Sequence, residues 1–508
     1  MINTKKIFYR HVLKALVVIC AILVLCRLTN GMAAIALVGL GFVWALMDKI
    51  GLALCCYIFF PYVMIINPAI LPKTSMLAAA LRIGPMVMTF ALMISATRRA
   101  GRNYIPLGGL LVYLLVATIS SIGGYCFQIS LLKVINFFVF FVGIWVGTRN
   151  LDRRPADIEL LRVVFFSLSL LTIFGSIATL PYPAIAYPLT SRWLMLDGAG
   201  MTLDEANAAM RYSSDGLRLF AGFTMHSQTL APMMSCIFGY VLCDMISIER
   251  RLTAVHLIAL VAAPILLYMT RSRTGMFSLL ITVIVICFYA REKIPMNGAA
   301  RQRIKKVLRA MFFVGVVSAV AMECKDNTIS KWLLKNDDTI GQMEKMGVHG
   351  SIVGSRMGMV EKNLYDFSKN PVFGMGFQVD ENSASFLRGG GLVFSAPVEK
   401  GILPLMVLGE TGTVGAICFL LVMIVFYSKC TRNRYVVSAS LFTTLLATNI
   451  GEATFFSPGG CGGIMWMYCC VGGFAMDMIV LYRRRFECAL IKADADRVQV
   501  DWEAERCP

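Results

Sequence analysis

The chain alternates long apolar runs with short polar breaks. A helix needs about 20 apolar residues to cross a bilayer. Runs near that length fall at 12–28, 31–47, 51–68, 76–96, 104–124, 127–148, 160–180, 229–247, 253–270, 275–290, 307–322, 401–428, 436–455 and 464–482. The pattern predicts an all-α, polytopic helical membrane protein with about 14 transmembrane helices. Residues 1–482 then form a single transmembrane domain with two large extracytoplasmic loops, 181–228 and 323–400, and residues 483–508 form a charged cytoplasmic tail.

The breaks alternate in character. Basic clusters lie at Lys5–Lys14, Lys49, Arg98–Arg102, Arg149–Arg154, Arg250–Arg251, Arg291–Lys306, Lys429–Arg434 and Arg483–Arg485. All of them fall on one side of the membrane if spans alternate, so the positive-inside rule puts both termini in the cytoplasm. The apolar run after Lys5, Lys6, Arg10 and Lys14 imitates a signal peptide. A second run follows within a few residues, and the first reads as an uncleaved span.

Composition agrees. Of 508 residues, 57% are hydrophobic and 15% charged, outside the soluble range. The net charge of +18 is dispersed between apolar runs, which argues against a nucleic-acid face. Most of the 16 cysteines sit inside the runs, where they act as small hydrophobes, and none are spaced C-x-x-C. Neither a disulfide framework nor a zinc site is expected.

Candidate chemistry concentrates in Ser351–Gly415. Val353, Met357, Val360, Leu364 and Phe367 recur at helical spacing, with Arg356, Glu361 and Lys362 off that stripe. Asn370-Pro371 ends the helix, and Gly374 and Gly376 permit a tight turn. Glu410 then stands inside a membrane-length run, where a carboxylate is costly and marks a functional or structural-polar position. This Arg-led helix, N-P-x-x-G-x-G-F and L-x-x-L-G-E-T-G-x-x-G together resemble the last large extracytoplasmic loop of the O-antigen ligase/polymerase family.

Other residues join this set. Arg271 and Arg273 occupy a tiny outer break, Thr270–Gly275, on the side where arginine is scarce. A guanidinium fork grips phosphate oxygens at two points and stays charged in a low dielectric, although snorkelling helix ends would look the same. The family resemblance points to Arg273 first and Arg271 second, and adds Arg218, which opens R-L-F-A-G-F-T-M-H, and Arg356. His226 is either catalytic or an ordinary capping residue. Where the ligase branch has a histidine, nine residues before the acid matching Glu410, this chain has Gly401. That departure leaves the general base open. Glu399 is the substitute considered, since a carboxylate at a span mouth can accept a hydroxyl proton, or else pair with Lys400. Glu410 and Glu452 are expected to orient other groups.

The resemblance implies glycosyl transfer, as an O-antigen or exopolysaccharide polymerase or ligase, at the periplasmic face of the bacterial inner membrane. The donor would be an undecaprenyl-pyrophosphate-linked oligosaccharide. A glycan or lipid A-core hydroxyl would be the acceptor, with membrane lipids and other polysaccharide-assembly proteins as further partners. The expected mechanism is inverting, uses no cofactor and needs no metal. A lipid-linked oligosaccharide flippase is the alternative from another class. It fits less well, because flippases need polar residues distributed through the spans and usually a two-fold repeat with short loops, whereas this sequence shows neither a repeat nor mid-span charge pairs and has two long outer loops.

Overall fold

A computed structural model describes residues 2–97, 107–149, 151, 154–187, 220–249, 252–270, 272–292, 302, 306, 357–381, 383 and 401–485. Among these, regular structure is helical, and the nearest thing to a sheet is one isolated bridge between Ile66 and Thr224. The helices are α1 (Ile2–Leu28), α2 (Met32–Leu46), α3 (Ile50–Ile65), α4 (Ser75–Thr97), α5 (Gly108–Ile122), α6 (Phe127–Arg149), α7 (Pro155–Thr179) and the short α8 (Pro183–Ala186). There follow α9 (Ser227–Cys243), continued by a π-helical turn over Asp244–Glu249, then α10 (Ala254–Met269) and α11 (Arg273–Glu292). The loop helix α12 (Met357–Lys369) precedes α13 (Leu403–Arg432), α14 (Val436–Asn449) and α15 (Cys461–Met467), the last running on through a π turn to Arg485.

Thirteen of the spans read from the sequence each correspond to one of these helices, and the span at 307–322 lies outside the described residues. Among the described residues, seven helices are long and apolar enough to cross a membrane, and six more are apolar but shorter. The chain is an all-α, multi-pass membrane protein. Two of the shorter helices end earlier than their apolar runs, each for a visible reason. α3 stops at Ile65, where Ile66 pairs with Thr224 and Pro68 follows. α14 stops at Asn449, whose side-chain oxygen accepts the Phe455 amide at 2.7 Å and turns the chain back.

α9 is buried along its whole length, and α15 with its continuation nearly so. Around them the outer helices face lipid with Leu13, Val17 and Val24 on α1, Ile258, Val261 and Ile265 on α10, and Phe277, Leu280 and Ile284 on α11. Two ends of the bundle are thereby defined, and the contacts sort the loops between them as strict alternation requires. At one end Arg154 pairs with Asp48, and Arg483 donates to the Ile248 carbonyl at 2.6 Å. At the other, Met225 donates to the Ile65 carbonyl at 2.8 Å, Arg27 to the Ile70 carbonyl at 2.8 Å, and Gln378 to the Phe456 carbonyl at 2.6 Å.

The basic end holds a feature the sequence did not suggest. Arg162 is buried on α7 and grips Asp244 through Nε at 2.8 Å and Nη2 at 3.2 Å. It also donates to Glu249 at 2.8 Å and Glu159 at 3.1 Å, and stacks over the Phe8 ring. His256 donates Nε2–H to Asp244 at 3.1 Å, leaving Nδ1 to accept from Thr253 at 2.7 Å; Tyr9 closes the set at 2.9 Å from Thr253. The Arg162–Asp244 pair lies near the ends of two spans and is not a mid-span charge pair. Arg162 and Asp244 both lie inside the predicted spans, and their apolar neighbours hid a pairing that only the packing of α7 on α9 creates. This clasp joins α1, α7, α9 and α10. Nearby, buried Asp477 accepts the Val437 and Ser438 amides at 2.9 Å each and so caps α14 from α15's continuation.

Under the charge rule the clasp end faces the cytoplasm. Cysteines placed at exposed Ser368 and Asn433, in a background cleared of reactive thiols, should then label from outside and only from inside, respectively. The reverse pattern would invert the topology. Arg162→Leu strands buried carboxylates and should lower stability by about 3–5 kcal/mol, measured by thermal unfolding in detergent. Adding Asp244→Leu should recover part of that loss; a further additive drop would mean the pair is not coupled.

Candidate functional site

The loop-rich end is organised by a break in α13. Gly412 has φ 63° and ψ −166°, a conformation for which glycine is suited, and it splits the helix in two. A broken helix exposes carbonyls and amides that a membrane interior cannot solvate. Here the turn after α12 supplies the partners. Met375 and Gly376 donate their amides to the Gly409 and Glu410 carbonyls at 3.0 and 2.9 Å, while Thr413 and Val414 donate to the Pro371 and Val372 carbonyls at 2.8 and 3.2 Å. The two sequence motifs are thus the halves of one interlock.

The glycines follow from this closeness. A Cβ on Gly412 would stand 2.3 Å from the Val372 oxygen, one on Gly374 2.4 Å from the Glu410 carbonyl carbon, and one on Gly124 2.3 Å from the Met375 oxygen. The turn is also seated on α5 and α6. Ser130 donates to the Phe377 carbonyl at 2.9 Å, and the Phe377 amide donates to Ser121 at 3.2 Å. Below it Phe377 packs edge-on to Phe137 and Phe456. Glu410 is fully buried, and of its groups the interlock uses only the backbone carbonyl; buried Tyr113 lies beside its side chain.

A second junction forms where α9, α11 and α15 begin and α14 ends. Ser235 of α9 donates to the Gly275 carbonyl of α11 at 2.9 Å. A Cβ on Gly451 would meet Thr274, the neighbour of Arg273, and the Cys461 thiol reaches the Thr229 carbonyl at 3.5 Å. His226, Arg273 and the buried Glu452 therefore sit on adjoining elements. Three helices start at this end of the bundle, each with the positive end of its dipole on that side. His226 is the N-cap of α9: its Nδ1 accepts the Gln228 amide at 3.1 Å. With that lone pair engaged, the neutral ring carries its proton on Nε2 and is a donor there. Burial lowers its pKa, which favours this neutral form.

Beside Arg273 an apolar groove of about 310 Å³ opens toward lipid between α11, α13 and α14. Phe277, Ile281, Leu403, Phe419, Leu446 and Ile450 are among its lining residues. Positions i and i+4 of a helix stand one above the other, so Arg273 lies one turn outward of Phe277.

Of the residues singled out from sequence, Arg218, Arg271, Arg356 and Glu399 lie outside the described residues; His226, Arg273 and Glu452 lie on adjoining elements, and Glu410 lies at the interlock. Sequence reasoning missed two cations at this end. Lys133 is buried on α6 and donates to the Gln378 carbonyl at 2.5 Å. Lys73 donates to the Val63 carbonyl, and burial brings its pKa down to about 8. Lys133 could have been noticed as a lone cation within an apolar run. Among the described residues no three His, Cys, Asp or Glu side chains converge on one point.

Residues 258–420 match the family model described as O-Antigen ligase. Over that stretch the chain is similar to O-antigen ligases. Arg271, Arg273, Arg356, Glu399 and Glu410 fall inside the matched stretch, with both halves of the interlock and half of the groove lining; Arg218, His226 and Glu452 fall outside it. The match brings a membrane glycan-transfer activity of the ligase type in general terms. No curated protein matches the chain.

The interlock predicts that Gly412→Ala destabilises the protein by about 2 kcal/mol or more, through strain and collision with Val372. Gly39→Ala, whose Cβ would meet nothing, is the control. Equal melting temperatures for the two variants in detergent would mean that the break is not what holds the loop.

Proposed function

We propose that the protein transfers or polymerises glycan from an undecaprenyl-pyrophosphate-linked donor onto a sugar hydroxyl at the periplasmic face. The observation that carries this reading is the lipid-facing apolar groove opening one turn from Arg273, inside the stretch that matches O-antigen ligase. Such a groove suits a prenyl chain, and a guanidinium at its outer mouth suits the diphosphate that heads it.

The chemistry divides into two demands. As the acceptor oxygen attacks the anomeric carbon, the bond to the phosphate oxygen breaks and negative charge develops on the departing diphosphate. Arg273 meets that charge, with Nε2–H of His226 as a further donor and Arg271, Arg218 and Arg356 as additional cations. Attack from the face opposite the leaving group inverts the anomeric centre. The acceptor proton must go to a base. Glu399 is assigned this role: it lies four residues before Leu403 of the groove, and a carboxylate has a free lone pair where the capping His226 has none. Glu410 and Glu452 hold positions in the scaffold.

Single-turnover transfer with purified variants and a lipid-linked donor tests these roles. Arg273→Ala should reduce transfer on the order of 100-fold at normal protein level, and Arg273→Lys by less, since it keeps charge but loses the fork. Glu399→Gln should abolish transfer while leaving donor binding intact. Full activity in Glu399→Gln with none in His226→Ala would move the base to His226. Wild-type transfer in Arg273→Ala would reduce that residue to an interface anchor.

A further inference from the structure

The loop helix α12 packs with an unexpected face inward. Its buried residues are Asn363 and Asp366, both polar. The Asn363 backbone abuts Gly409, and the Asp366 carboxylate accepts the Tyr125 hydroxyl at 2.6 Å. Of the apolar stripe visible in the sequence, Val360, Leu364 and Phe367 do not enter the core. Leu364 is 46% exposed, and Val360 and Phe367 are half-buried but lie outside the hydrophobic cluster of the bundle. With successive residues about 100° apart, Val360, Leu364 and Phe367 share a face roughly a quarter-turn from the packed one. Glu361, Ser368 and Lys369 occupy a third face. In the turn that follows, Val372 and Phe373 are 51% and 42% exposed.

What borders this patch identifies its occupant. The Val414 amide donates to the Val372 carbonyl, so the turn lies directly against α13. From Val414 the exposed line Ile417, Leu421 and Ile424 descends the lipid face of that helix. The patch is the upward continuation of a surface already facing acyl chains. Its borders suit the headgroup region: Lys369 pairs with Glu381 at 2.7 Å and lies 4.3 Å over the Tyr365 ring, and Lys362 pairs with Asp380.

We propose that Val360, Leu364, Phe367, Val372 and Phe373 form a lipid-seated surface, with α12 lying flat at the acyl–headgroup boundary of the leaflet on the loop side. The helix is then three-sided, with one face on α13, one in lipid and one in water. Through the interlock, its depth fixes the height of the broken α13 relative to the headgroups. The proposal rests on the membrane span of α13 and is independent of the glycan-transfer reading.

The test places the photoreactive residue p-benzoyl-phenylalanine singly at Leu364, Phe373, Ile417 or Ser368 of the full-length protein. Each variant is reconstituted in vesicles of phosphatidylethanolamine and phosphatidylglycerol, irradiated and read by mass spectrometry for phospholipid adducts. Adduct yields at Leu364 and Phe373 should match the yield at Ile417 on the lipid face and exceed several-fold that at Ser368 on the water face. Yields at Leu364 and Phe373 as low as at Ser368 would overturn the proposal. So would adducts at those positions to protein in native membranes, which would assign the patch to a protein partner.

Discussion

A backbone amide or carbonyl inside a membrane must find a partner within the protein, and the loop-rich end of this molecule is built around that requirement. Breaking α13 at Gly412 frees peptide groups at a depth where water cannot serve them. The turn at 370–377 answers with four backbone hydrogen bonds, two given and two received. Once the turn is pinned, its other contacts follow, from Ser121 and Ser130 below to Gln378 on Phe456 and Lys133 on Gln378. A long loop that could have floated above the bilayer is fastened into the bundle at its narrowest point.

The same logic explains how much the sequence disclosed. Span positions and their alternation were legible because bilayer thickness and charge asymmetry act on the chain one segment at a time. Pairings between segments were not. Arg162 and Asp244 each look like a charge near a span end, and only the packing of α7 against α9 reveals their bidentate contact. The stripe on α12 was legible as a stripe, but the sequence did not indicate which face packs inward. Asn363 and Asp366 are buried because Gly409 admits the helix backbone and Tyr125 offers a hydroxyl. In the candidate site, Arg273, His226 and Glu452 were noticed separately as polar residues in apolar surroundings. Their adjacency depends on contacts through Gly275, Gly451 and Cys461, whose small size gives no signal in the chain.

The two motifs that prompt the family resemblance have a structural explanation independent of chemistry. Gly374, Gly409 and Gly412 are required by close backbone approach, and Asn370 accepts the Phe373 amide to shape the turn. Motif glycines here describe a scaffold. The groove lies beside it, with walls from α11, α13 and α14, and Arg273 is the first residue of α11, one turn before Phe277 of the lining.

Glu410 marks the limit of the structural explanation. The interlock uses its carbonyl alone, so any residue could supply that bond, and an apolar side chain would avoid burying a carboxylate. Direct proton transfer is a poor use of it, because the carboxylate lies beneath the pinned turn, fully buried beside Tyr113, while an acceptor sugar must arrive from water. The orienting role proposed for Glu410 agrees with this placement, since a carboxylate without access to an acceptor can act only through the groups around it, and proton transfer is then left to a residue that an acceptor arriving from water can reach.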